Sequence, residues 1–250
     1  MNNKTVNLLI SIFVAMLMGV LLFFWYSNST PGSTSQLVAE LLGGNMPHGI
    51  IQMMTYALFT YAMLDIFRLR SEINQQAFSL WLNLLPEKEQ YVLSPDDVNN
   101  IKLKMVELEK SNPSLLIDII KKACTKFRAN KSVSEALHVV NTQTEINSKR
   151  FDSELNLIKY MGWAVQTLGL VGTVMGLTFA LSFAGEIVTQ AGINKVTTYL
   201  GSAFSTTLVS VALSIVLMYF FTILQNKNDK LHADNESYVL ENLINRIYNR

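Results

Sequence analysis

The amino-acid sequence predicts an all-α, polytopic membrane protein with four transmembrane helices, the third and fourth extended into a cytoplasmic helical stalk. Three observations carry this expectation. Half of the 250 residues are apolar and only 16 % are charged. The charges are missing from whole stretches rather than thinned evenly along the chain. The last two of these stretches also run into polar sequence that keeps a helical period without glycine or proline.

Residues 161–184 and 196–224 contain no Asp, Glu, Lys, Arg or His. Each exceeds the roughly 20 residues that cross a hydrocarbon core. Residues 6–26 form a third such run, closing on Trp25 and Tyr26, ring types that favour a membrane edge. The run is longer than the about 7 to 15 apolar residues of a secretory leader, and the SNSTPGS that follows offers no A-x-A cleavage pattern, so it reads as a retained anchor. The remaining run, residues 49–64, is shorter, mildly polar and closed by Asp65. Its length alone would suit a buried soluble helix.

Charge placement argues that it crosses. Residues 27–49 hold no Lys or Arg, whereas residues 68–159 hold fourteen. Only Lys195 lies between the last two runs, and the tail carries Lys227, Lys230, Arg246 and Arg250. The positive-inside rule then places both termini and the long middle segment in the cytoplasm, which requires an even number of crossings before Arg68. The organisation expected is 1–67, two spans and an outside loop; 68–155, a cytoplasmic helical domain; 156–224, the third and fourth spans; and 225–250, a cytoplasmic helical tail.

Several functions are disfavoured by composition. The net charge is +1 and the basic residues alternate with acids, as in KLKMVELEK at 102–110; this is a solvated helix surface, not a nucleic-acid footprint. Cys124 is the sole cysteine, so no intrachain disulfide forms, and His48, His138 and His232 are too scattered for a metal-ligand cluster. No metal site and no enzyme chemistry are expected.

The middle segment carries helix-start signals. Ser94 precedes Pro95, Asp96 and Asp97, a cap followed by proline at the first position and acids in the first turn. Asn112 before Pro113 marks a second start, and Ser132 with Glu135 has the spacing of a capping box. Between there and Met161 no glycine or proline intervenes, and Leu137, Val140, Thr144, Asn147, Phe151, Leu155 and Ile158 recur at helical spacing. After Gly201 neither breaker occurs again, and Leu231, Leu240, Leu243, Ile244 and Ile247 continue a stripe. The polar SNSTPGSTS at 27–35 is the one low-complexity stretch and reads as an outside loop.

Both long helices carry small and hydroxyl residues along one line. At about 100° per residue, Gly162, Gln166, Gly169, Thr173, Gly176 and Ala180 fall within about 40° of each other. Ala203, Thr207, Ser210 and Ser214 do the same in the last run, with Thr206 at the edge. Counted at 1.5 Å per residue from the outer ends, Thr173 and Thr207 lie at about 18 and 15 Å, a matching depth. Small residues permit close helix approach, and Gly172 with Gly176 forms a G-x-x-x-G. Threonine hydroxyls in a span are either satisfied by their own helix or line a wet path. Neither stripe contains a titratable side chain, so a proton route along them needs a carboxylate from another chain.

These residues also carry a resemblance. LGLVGTVMGLTFAL at 168–181 resembles the G-L-x-G-T-V-x-G signature of the MotA/TolQ/ExbB proton channel superfamily, and AFSTTLVSVALSI at 203–215 resembles its A-x-x-T-T-L stretch. The resemblance implies an ion-channel ring subunit, typically one of five copies, in a bacterial inner membrane. The ring encloses a dimer of a single-span MotB/ExbD/TolR-like partner whose membrane helix carries an aspartate. Proton or sodium flow past that aspartate turns the ring and delivers mechanical work, with no cofactor. Carried over by position, Thr173 and Thr207, with Thr206, face the pore; Gln166, Ser210 and Ser214 extend that face, and Gly169, Gly172, Gly176, Ala180 and Ala203 supply close packing. Four spans with an inside N-terminus resemble the flagellar-stator or phage-defence branches more than the three-span branch. Two features depart from the family: Ser210 stands where many relatives have glycine, and the last span lacks the usual proline. The alternative function is a structural scaffold whose small-residue stripes only pack helices.

Overall fold

The computed structural model describes residues 3–45, 49–87 and 92–248. His48, Arg250 and Lys88, one of the fourteen basic residues of 68–159, lie outside them. Seven α-helices follow in order: α1 (Asn3–Asn28), α2 (Thr34–Leu41), α3 (Gly49–Phe78), α4 (Pro95–Ser111), α5 (Leu115–Asn130), α6 (Val133–Ser182) and α7 (Gln190–Asn242). The chain is all-α; among the described residues the β-type pairing is one isolated bridge, Leu93 with Ile247. Four helices, α1, α3, α6 and α7, are long and apolar enough to cross a membrane. By contacts the chain divides into two compact units, Met1–Phe67 with Asn156–Thr222, and Arg68–Leu155 with Ile223–Arg250.

In the first unit, α1 and α3 hold the short helix that the sequence reading had as loop. Ser33 caps α2 by accepting from the Gln36 amide (3.2 Å), while Gln36 Oε1 accepts from the Gly32 amide (2.8 Å). Gly43, at φ +99°, ends the helix in a left-handed conformation that residues with a Cβ adopt at a cost. The carbonyls freed there are claimed by α3: Gln52 Nε2 donates to Leu41 O (2.6 Å) and the Tyr56 hydroxyl to Leu42 O (2.8 Å). Trp25 Nε1 donates to the Ser35 hydroxyl (2.9 Å), tying the far end of α1 to the same helix. The apolar centre of the unit is Ala15, Leu22, Tyr56 and Val209.

Three expected helix boundaries move. The apolar run closed by Asp65 is only part of α3, which continues to Phe78 because no glycine or proline interrupts it; Asn83, at φ +45°, marks the break. Asp65 itself is 1 % exposed, inside the unit.

The second unit is built around α5, whose Leu116, Ile117, Ile119, Ile120, Ala123, Cys124 and Phe127 are all buried. Leu116, Ile117, Ile119 and Ile120 each contribute about 1.5–3 kcal/mol on burial. The cap at Ser94 forms as a full box: its side chain accepts from the Asp97 amide, and Asp97 accepts from the Ser94 amide (2.9 Å). The Ser94 hydroxyl, which donates to Asp97 Oδ2 (2.7 Å), and then the Ser94 amide hold the Asp97 carboxyl below its usual range. Helix α5 starts two residues later than Asn112 would place it, because Ser114 caps the Ile117 amide (3.2 Å) and Gln76 Oε1 takes the Leu115 amide (2.8 Å). At Ser132 only half of the box forms, since the Glu135 carboxylate turns to Lys126 (2.9 Å) and Asn130. Within this unit the α6 stripe is the inward face, with Val140, Thr144, Asn147 and Leu155 buried; Ile158, in the first unit, is buried as well. Helix α7 stops at Asn242, short of the expected Ile247. There the chain turns so that the Leu93 amide donates to Arg246 O (2.8 Å) and the Tyr248 amide to Leu93 O (3.1 Å).

Burial raises the Cys124 thiol to about 12, leaving almost no thiolate at neutral pH. The folded protein is therefore expected to resist maleimide labelling at neutral pH and to be fully labelled once unfolded. Rapid labelling in the folded state would contradict the core described above.

Candidate functional site: the paired hydroxyl faces of α6 and α7

Within the first unit, the two small-residue stripes lie against each other. Glycine makes this possible. A Cβ placed on Gly169 would overlap the Ser210 side chain, one on Gly172 would lie 2.5 Å from Thr206 Oγ1, and one on Gly176 would lie 2.6 Å from the Ala203 Cβ. At such spacing, backbone carbonyls of one helix come within reach of hydroxyls on the other.

Three hydroxyls cross the interface. Thr207 Oγ1 donates to Gly169 O (2.9 Å), Thr173 Oγ1 lies 3.1 Å from Ala203 O, and Ser214 Oγ donates to Gly162 O (3.2 Å). The Thr173 and Thr207 hydroxyls also hydrogen-bond each other. Each hydroxyl has one proton and two acceptor lone pairs. With Thr207 donating to Gly169 O and Thr173 donating to Thr207 or Ala203, both protons are committed inside the chain. Lone pairs on the half-buried Thr173 and Thr207 oxygens remain as hydrogen-bond acceptors.

The remaining candidates divide between interior and surface. Thr206 and Ser210 are buried and bond within α7, to Ala203 O (2.8 Å) and Thr206 O (2.8 Å). Ser214, Ala203 and Ala180 are buried as well. Gln166, on the same line as Thr173 in the helix, is exposed on the single chain. The contrast follows from size: glycine and threonine fit in the closed seam, and a glutamine side chain reaches out of it.

Charge is absent from the seam and concentrated at one end. Lys195 Nζ pairs with Glu186 (3.1 Å) and sits 4.8 Å from the Phe183 ring centroid, while Phe183 stacks on Tyr199 at 5.4 Å. Sequence reading did not single out Tyr199, although an aromatic one turn past a lone lysine was a usable signal. Among the described residues no group of three His, Cys, Asp or Glu is placed to hold a metal ion.

Residues 112–237, half of the chain, match the MotA/TolQ/ExbB proton channel family. No curated protein and no solved structure gives a match. The matched segment contains α5, α6 and nearly all of α7, and with them both hydroxyl faces. With four helices able to span a bilayer and this match across its paired hydroxyl helices, the chain is a membrane protein that belongs to the MotA/TolQ/ExbB proton channel family.

Proposed function

We propose that the chain is the ring subunit of a two-component, ion-driven motor in a bacterial inner membrane, with both termini cytoplasmic. Several copies, five by family resemblance, surround a dimer of a single-span partner. Protons or sodium ions pass between the ring and a membrane aspartate on that partner, and the passage drives movement. The observation that carries this reading is the Thr173–Thr207 hydroxyl pair. Its protons are spent on the chain's own acceptors, its oxygens keep lone pairs, and no carboxylate lies in the seam. Such a site supports an ion held mainly by another chain's carboxylate. The driving force is adequate, since one elementary charge crossing is worth about 2.3 kcal/mol per 100 mV.

The scaffold reading draws on a different observation, the fit of Ser210, Thr206 and Ala203 against the three glycines. Under that reading the hydroxyls serve packing alone. The two readings separate on energetics. An interhelical hydrogen bond in a membrane averages only about 0.6 kcal/mol, so Thr→Val changes leave packing nearly intact. Overpacking a tight seam costs about 1–3 kcal/mol or more.

The Thr173→Val/Thr207→Val double variant is expected to assemble normally and to lose ion flux in proteoliposomes that contain the ring and its single-span partner. Normal flux in the double variant would refute the pore role. Gly169→Leu is expected to reduce assembled oligomer in detergent extracts, with Thr178→Leu as a control, because Thr178 is exposed and bonds only within α6 (Val174 O, 2.8 Å). An affinity-tagged chain is expected to co-purify a short protein with one N-terminal span containing Asp. Substituting that Asp by Asn is expected to abolish flux while leaving the complex intact.

A further inference from the structure

The second unit contains a polar interior unrelated to the paired threonines. Gln143, Thr144 and Asn147 on α6 and Asn228, His232 and Asn235 on α7 are all at most 9 % exposed. Spacings of three and four residues put each set on one helix face. Gln143 is satisfied: its amide donates to Asn147 Oδ1 (3.0 Å) and its carbonyl accepts from Lys122 Nζ (2.9 Å). The others are not. Both amide atoms of Asn228 and of Asn235, both ring nitrogens of His232, the Thr144 hydroxyl and Asn147 Nδ2 have no hydrogen-bond partner among the described residues. A buried polar group without a partner forfeits its hydration for nothing. Eight such atoms left dry would cancel a stability as small as a domain's normally is.

Three of these side chains share a cavity of about 140 Å³, lined by Asn147, Asn228 and His232 together with Glu72, Gln76, Arg150 and Glu154. Its carboxylates are already matched, because Arg68 pairs with Glu154 (2.7 Å) and Glu72 (3.5 Å). Arg150 is exposed, its charge open to solvent, and what is unmet among the buried groups is neutral and of both kinds: amide N–H donors, amide oxygen acceptors, and an imidazole that offers one of each. The occupant must therefore be small, uncharged and able both to donate and to accept. Water meets all three requirements, and at roughly 30 Å³ per molecule the space suits about four.

We propose that this cavity is a built hydration site, in which a cluster of internal waters hydrogen-bonds His232, Asn228 and Asn147 and joins α6 and α7 within the second unit. The polar residues here serve as water ligands. The site stands independently of the ion path.

The test uses the full-length chain in detergent. Asn228→Leu keeps size and removes the amide. If waters bridge Asn228 to His232 and Asn147, the variant strands those two partners, and the thermal midpoint is expected to fall by about 4 °C or more. If the cavity is dry, leucine replaces an unpaired amide, and an unchanged or raised midpoint overturns the proposal. Should the variant fail to fold, the unsubstituted protein decides through a density map that resolves ordered water. Separate water-sized peaks within hydrogen-bond distance of His232, Asn228 and Asn147 are the expected result. An empty cavity, or one continuous larger molecule, overturns it.

Discussion

Gly169 carries no side chain, and the Thr207 hydroxyl of the facing helix rests on its carbonyl oxygen at 2.9 Å. That contact exists only because Gly169, Gly172 and Gly176 remove the Cβ atoms that would hold α6 and α7 apart. In hydrocarbon, helices gain little from apolar contact, since lipid chains are as apolar as leucine; association depends on close packing and interhelical hydrogen bonds. The seam uses both. Other features of the first unit rest on its closure: the meeting of Thr173 with Thr207, the burial of Thr206, Ser210 and Ser214, and the absence of any charge between the helices.

The two units handle buried polarity in different ways. In the seam, hydroxyls reach backbone carbonyls one helix away, so each group is short, close and satisfied within the chain. In the second unit the polar groups are longer amides and an imidazole. Asn147, Asn228 and His232 face a cavity, and the unmet atoms there have no protein partner among the described residues. A charge-free seam suits a family whose members move ions, because a fixed charge there would trap or repel the ion. A polar interior in the other unit adds direction to helix packing, since amides that must meet specific partners tolerate fewer registers than an apolar face.

Much of this was readable from the chain. The cap at Ser94, the unbroken α6 and its inward stripe all depend on residues within a few positions of one another, and the structure has them as expected. The misreadings also have local causes. The serine-rich composition at 27–35 reads as loop, yet Ser33 and Gln36 have the spacing of the cap that starts α2. The apolar run ends at Asp65 but the helix does not, because apolarity does not terminate a helix: α3 runs on to Phe78, and the left-handed turn falls at Asn83. Helix α7 stops before Ile247 because that residue pairs with Leu93, far away in sequence.

By itself the sequence determined the helical class, the four charge-free or nearly charge-free runs, the faces that carry glycine and hydroxyl groups, and the family. Each of these is written in spacing and composition along a single helix, where 3.6 residues per turn fixes what lies beside what. Tertiary structure alone decided which face meets which, and therefore where each proton goes. That Thr207 donates to Gly169 O, that Gln166 stays on the surface, that Asp65 and Cys124 are enclosed, and that Asn228 and His232 face one cavity are facts of contact between distant segments. A hydrogen bond forms within about 3 Å or not at all, and helical periodicity alone does not bring two helices to that distance.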